Sequence, residues 1–377
     1  MKFALIAAAG LLSLAPLLTF AAGPAATQPV AVTVHLHDAT AQSALAELSK
    51  QAGAPFPLFP PDLLEKSVLP NVTLDLERQP FWAAMEQFSR KSGLEPVLAP
   101  EDPYPRFQLG LGGGFWDEPH VIAGPVVLFA NEVQRTNTVE LGKTKHTFER
   151  ELEVNLTAFA EPGLRVLFAS PVIKVLAAVD EKGQPLTVAP EDPTDASAEN
   201  DAESGVFTWN LAVALNSPTD PTIQKIARLR GRTHLRVQTA EQRVEVDDVM
   251  KARNVSRNIA GAPFTFRSIK KADIEYILQL SLRRDKMPEA QWRDLHHSLY
   301  SGQLTLYDDK GRLVAGRATE NGGEYHNNRI EATLRFIREP GVSDPQAGEP
   351  FKLVWLAPTA AKDLPIEFEL QDLPIPE

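Results

Sequence analysis

The chain has 377 residues, 43% hydrophobic and 23% charged, which excludes a disordered or low-complexity protein and allows two or three folded domains. It has no cysteine, so disulfides, thiolate metal sites, thiol catalysis and cysteine acylation are excluded. A net charge of −11 disfavours nucleic acid and anionic membrane surfaces as partners.

Near the N-terminus Lys2 precedes an uncharged, mostly apolar run from Phe3 to Phe20, followed by Ala21, Ala22 and Gly23. The pattern predicts a secretory signal peptide over residues 1–22, with an uncleaved membrane anchor as the alternative. The mature protein is then exported, periplasmic or extracellular, with no membrane span after signal cleavage.

A repeat follows. Val32-Thr33-Val34-His35-Leu36 returns forty residues later as Val72-Thr73-Leu74-Asp75-Leu76, and the same offset pairs Ala44 with Ala84, Ser49 with Ser89 and Gly53 with Gly93. Each copy opens on a period-2 strand and continues with apolar residues at helical spacing: Ala41, Ala44, Leu45, Leu48, then Phe81, Ala84, Met85, Phe88. Each helix should end at its glycine and lead to a short strand, Phe56 to Phe59 or Glu95 to Leu98. Residues 31–99 therefore read as a small β-α-β module, duplicated.

These strands and helices, with the connector Pro61-Asp62-Leu63-Leu64, resemble the short N-terminal domain shared by secretins and TonB-dependent receptors. The resemblance implies a periplasmic protein-contact module and carries no catalytic residues. Downstream the chain departs from that family, with no secretin domain, plug or barrel pattern.

Residues 100–125, rich in proline and glycine, read as a linker with one strand from Arg106 to Leu111. Gly110 to Gly114 lacks the Lys-Ser/Thr and the following helix of a phosphate loop. From 126 to 253, apolar or alternating runs at Val126–Phe129, Leu152–Ala158, Leu164–Phe168, Val172–Val179, Phe207–Ala214, Ile226–Val237 and Val244–Val249 predict an antiparallel β-sandwich. Residues 191–204 interrupt it with six acids and no base, and read as a mobile loop. From 254 to 377 the pattern restarts, with one short helix carrying Trp292, Leu295 and Leu299 and with late strands at Phe351–Leu356 and Ile366–Leu370, and predicts a second sandwich. Asp180-Glu181-Lys182-Gly183-Gln184 and Asp308-Asp309-Lys310-Gly311-Arg312 read as matching hairpin turns, which suggests that the two sandwiches are related. The predicted fold class is α+β: the small duplicated module, then mainly antiparallel β-sandwich domains.

Three clusters could carry chemistry. His35 and His37 share one strand face with Asp75 and Glu77 if the two repeat strands pair; that face could ligate a metal or be a solvated polar face. His296-His297 lie on the short helix, where neighbours point about 100° apart, so one at most faces a given site, and packing is the simpler role. Arg228, Arg230, Arg232, His234 and Arg236 alternate along one strand and could hold an anion or an acidic partner, or pair with Glu151, Glu153, Glu245 or Asp247. No cofactor motif is present. The reading that follows is an exported, non-enzymatic binding or assembly protein with an envelope protein partner. The alternatives are a glycan-binding sandwich using Trp82, Trp116, Trp209, Trp292 and Trp355, of which Trp209 and Trp355 lie in strands and suit a core, and a secreted hydrolase acting on polysaccharide or peptide.

Overall fold

The computed structural model describes residues 29–376 except 54–55, 57, 61, 98–107, 113, 142–145, 190–207, 301, 317, 327 and 339–342. The predicted signal peptide and the acidic stretch 191–204 lie outside the described residues. Antiparallel strands dominate, and among the described residues no helix is long and apolar enough to cross a membrane.

β1 (Ala31–Ala39) leads into α1 (Ala41–Ala52), the short α2 (Leu63–Lys66), β2 (Val72–Pro80), α3 (Phe81–Ser92), β3 (Leu94–Val97) and β4 (Gln108–Leu111). The Thr40 hydroxyl accepts from the Ser43 N–H and opens α1. Gly53 and Gly93 close α1 and α3 in the left-handed region, at φ 68 and 75, where a side chain is strained. β1 and β2 pair antiparallel, with His35 opposite Asp75, while Val32, Val34, Leu74 and Leu76 turn inward onto Leu48, Phe81 and Phe88. The strand expected at Phe56–Phe59 is reduced to an isolated bridge between Leu58 and Leu109. Its residues are few and proline-flanked, so no ladder can extend.

The expected linker is built structure where it is described. β4 pairs with β3, Trp116 is buried in a 3-10 turn, and β5 (His120–Ala123) pairs with β6 (Val126–Leu141). The glycine-rich run has an internal partner, because Glu95 Oε2 accepts the backbone N–H groups of Gly114 (3.0 Å) and Phe115 (2.9 Å). β7 (His146–Ala160) pairs with β6, β8 (Val166–Ala169) and β9 (Lys174–Asp180) follow, and β10 (Thr208–Asn216) pairs with β7. Sheet β10-β7-β6-β5 is buried on both faces. Val126, Leu128, Leu156 and Ala158 enter the first sandwich core, whereas Val127, Phe129 and Phe159 pack under the N-terminal module against Trp82 and Trp116. This explains the unbroken apolar run from Val126 to Ala130.

β11 (Lys225–Asp247) is one strand of 23 residues where the sequence suggests two. β12 (Val255–Ile259), β13 (Ala262–Ala272), β14 (Glu275–Arg283), α4 (Glu289–Ser298), β15 (Leu304–Tyr307), β16 (Leu313–Ala315), β17 (Ala318–His326) and β18 (Arg329–Ile337) precede β19 (Lys352–Pro374), also 23 residues and also read as two. Bulges at Gln238–Glu241 of β11 and opposite them at Pro358–Ala361 of β19 interrupt the alternation, which hides the continuity. β11 and β19 pair along their whole length, and the two cores therefore do not separate at residue 253. Ile366, Phe368, Leu370 and Leu373 of β19 complete the first core, and Val244 and Val246 of β11 enter the second.

The order β5-β6-β7-β10 recurs as β12-β13-β14-β18, with β17 added at the edge. The turns at Asp180 and Asp308 also match. In each, the aspartate Oδ1 accepts from the backbone N–H two and four residues on: Lys182 and Gln184, then Lys310 and Arg312. Where β11 crosses the first core, Gly231 faces Phe368, and a Cβ there would stand 2.6 Å from the Phe368 ring and 2.8 Å from Ile173. Gly231→Ala should cost about 1–3 kcal/mol through overpacking. An unchanged urea midpoint would show that the strand can shift aside.

Candidate functional site

The described face richest in charge is the side of β11 turned away from the first core. Leu229, Leu235 and Val237 point into that core, so alternation sends Arg228, Arg230, Arg232, His234 and Arg236 outward. Register with β19 places Gln371, Glu369, Glu367, Pro365 and Asp363 opposite them in turn. Arg230 Nη2 lies 3.3 Å from Glu367 Oε2, and Arg232 donates to Glu367 through Nε (2.9 Å) and Nη2. Hydrogen bonds from Arg232 and then Arg230 hold the Glu367 carboxyl below its usual range. The expected partners were other carboxylates. Glu151 and Glu153 belong to a different sheet, and Glu245 and Asp247 serve Arg243 and Lys352 at the far end of β11.

The ladder ends under α4. Arg236 meets Asp294 in two parallel bonds, Nε–Oδ1 2.8 Å and Nη2–Oδ2 2.9 Å, and reaches Asp363 at 3.1 Å. Asp294 is 4% exposed, and it raises the Arg236 pKa. Phe168, opposite Arg236 on β8, lies between His234 and His297 with its ring tilted to both, the ring centroids 5.8 and 5.7 Å away. Burial lowers His296 and His297 to about 4, so both are neutral near pH 7. A pKa depressed below 6.5 adds stability that is complete above pH 6.5 and is lost as pH falls towards 4. With Asp294 committed to Arg236, the histidine pair packs between the rings of Phe168 and Tyr300.

At the N-terminal module His35 Nδ1 stands 2.6 Å from Asp75 Oδ1, and Nε2 lies 3.5 Å from Glu77 Oε2. The hydrogen bond to Asp75 raises the His35 pKa. All three side chains are more than half exposed, and His37 sits beyond them at the bulge between Leu36 and Ala39. Among the described residues no group of three His, Cys, Asp or Glu is placed to hold a metal ion. All five tryptophans are buried, so none offers an exposed ring for stacking on a sugar.

One buried acid escaped the sequence reading. Glu161, directly after β7, is 1% exposed and accepts the Val30 N–H through Oε2 at 2.9 Å, while Oε1 has no hydrogen-bond partner among the described residues. Desolvation pushes its pKa up to about 8. Its only sequence signal is an acid directly after the apolar strand Leu156–Ala160.

No known protein family and no curated protein matches the chain. Among solved structures it is similar to a conserved domain protein from Bacillus anthracis, at 10% identity over 67% of this chain and 89% of that one, with a TM-score of 0.19. A likeness of that size carries no argument.

Proposed function

We propose that this chain is an exported, non-enzymatic binding or assembly protein of the cell envelope, and that it recognises a protein partner through its N-terminal module. The observation that carries the reading is how the module is mounted. Its apolar side shares a core with sheet β10-β7-β6-β5 through Trp82, Phe129 and Phe159, and the Trp82 indole donates to the Pro125 carbonyl at 3.2 Å. The polar face of β1 and β2, with His35, Asp75 and Glu77, is left to solvent on a fixed base. A rigid mount lowers the ordering cost of binding. The equal lengths of β1 and β2 (9 residues) and of α1 and α3 (12 residues), and the two glycine caps, support a duplicated unit of the secretin and TonB kind.

The test uses the whole chain after signal removal, because excising the module would bare Val127, Phe129 and Phe159. Immobilised wild type and the surface variant Asp75→Lys/Glu77→Lys are offered an envelope extract. The reading expects one discrete protein held by wild type, with affinity for the purified partner weakened about tenfold or more in the variant. Equal retention by both baits, or empty baits at low and moderate salt, would refute it.

A further inference from the structure

The ladder face of β11 has an excess of positive charge that the fold itself does not use. Between the first and third arginines it carries Arg228, Arg230, Arg232 and, on β9 opposite Arg232, Lys174, against Glu367 and Glu369. Arg228 has Gln371 on one side and Val179 on the other, so neither neighbouring strand sets a carboxylate directly opposite it. Arg232 and Lys174 are like charges directly across a strand pair, an arrangement that costs stability. A ladder built only to hold the sheet would alternate signs. The Arg228 and Lys174 side chains make no hydrogen bond or ion pair among the described residues, and Arg230 and Arg232 remain 51% and 47% exposed. Beside them Leu176, at 36% exposure, adds apolar surface.

We infer that this face binds an extended acidic polypeptide segment whose carboxylates occupy alternate positions. Successive arginines on β11 stand about 7 Å apart, the spacing of same-side residues on an extended chain. Such a segment sets carboxylates over Arg228, Arg230, Arg232 and Lys174, and its intervening donors can meet Glu367 and Glu369. A nucleic acid carries a denser run of negative charge than this ladder can meet, and sets no alternating amide donors over Glu367 and Glu369. The face is separate from the polar face of β1 and β2, so the two surfaces stand or fall independently.

The test is fluorescence anisotropy of a labelled peptide of six Glu-Thr repeats with the whole mature protein at about 50 mM salt. The expected result is saturable binding that weakens about tenfold by about 300 mM salt and about tenfold or more in Arg228→Glu/Lys174→Glu. Those two residues are exposed and unpartnered among the described residues, so the variant should keep the wild-type circular dichroism, with a melting temperature no lower than wild type because Lys174→Glu removes the like-charge pair with Arg232. A Gln-Thr peptide should not bind, and a peptide with its six glutamates in one block should bind more weakly. Absence of binding at low salt, equal binding by the variant, or tighter binding of single-stranded DNA or dextran sulfate of equal charge would overturn the inference.

Discussion

Asp294→Ala should lower the unfolding free energy by about 3 kcal/mol, the lower end of the range for breaking a buried ion pair. Asp294 is 4% exposed and holds Arg236 in two bonds of 2.8 and 2.9 Å. Removing it leaves a guanidinium 23% exposed with only Asp363 beside it, which is why the loss falls short of a fully stranded charge. The pair also ties α4, which belongs to the second core, to β11 where it borders the first. Its loss should therefore reduce the cooperativity between the sandwiches as well as the stability. Denaturant unfolding followed by tryptophan fluorescence checks both quantities. Arg236→Met/Asp294→Leu, which replaces both charges with apolar groups, should recover most of the loss, since the desolvation cost disappears with the pair. A change below about 0.5 kcal/mol in the single variant would mean that Asp294 is solvated in solution.

Glu161→Gln should stabilise the protein at alkaline pH and leave it nearly unchanged at pH 4.5. The folded-state pKa of about 8 lies above the ordinary glutamate value of 4.5, so the folded protein binds the extra proton between these values. The contribution is complete below pH 4.5 and is lost as pH rises towards 8. At about 1.4 kcal/mol per unit, the buried carboxyl should cost about 3–5 kcal/mol at pH 8.5 relative to pH 4.5. Glutamine keeps an acceptor for the Val30 N–H and removes the charge. Melting temperatures of wild type and variant should converge below pH 4.5 and diverge progressively as pH rises from 4.5 to about 8. Parallel curves across this range would place Glu161 in contact with water. The histidine pair acts in the opposite sense, losing stability as pH falls from 6.5 towards 4, and its effect is common to both proteins.

Much of the local structure was legible. The repeat at an offset of forty residues locates β1, β2, α1 and α3 and their glycine caps, and Asp180 and Asp308 mark two hairpin turns. Period-2 alternation put the arginines of β11 on one face. It did not supply their partners, because Glu367 and Asp363 lie well over a hundred residues away, and only strand register brings them opposite Arg232 and Arg236. The same limit explains why β11 and β19 each read as two strands. A bulge breaks the alternation locally, and continuity shows only when the partner strand is known. Residues 100–125 read as a linker because glycine and proline report backbone freedom, whereas Trp116 is buried by Phe115 and Phe129, the latter from another element.

The sequence alone thus determined what depends on neighbours within a few residues: helix and strand periodicity, turns, caps, and the sidedness of the ladder. Only the tertiary structure decided what depends on distant segments meeting. It joined the two sandwiches through shared strands, set the module on an outer sheet face, sealed Glu161 beneath Val30 and turned Asp294 onto Arg236. Side-chain period follows from backbone geometry and is written locally, whereas pairing, burial and the resulting pKa shifts come from contacts that no local pattern encodes.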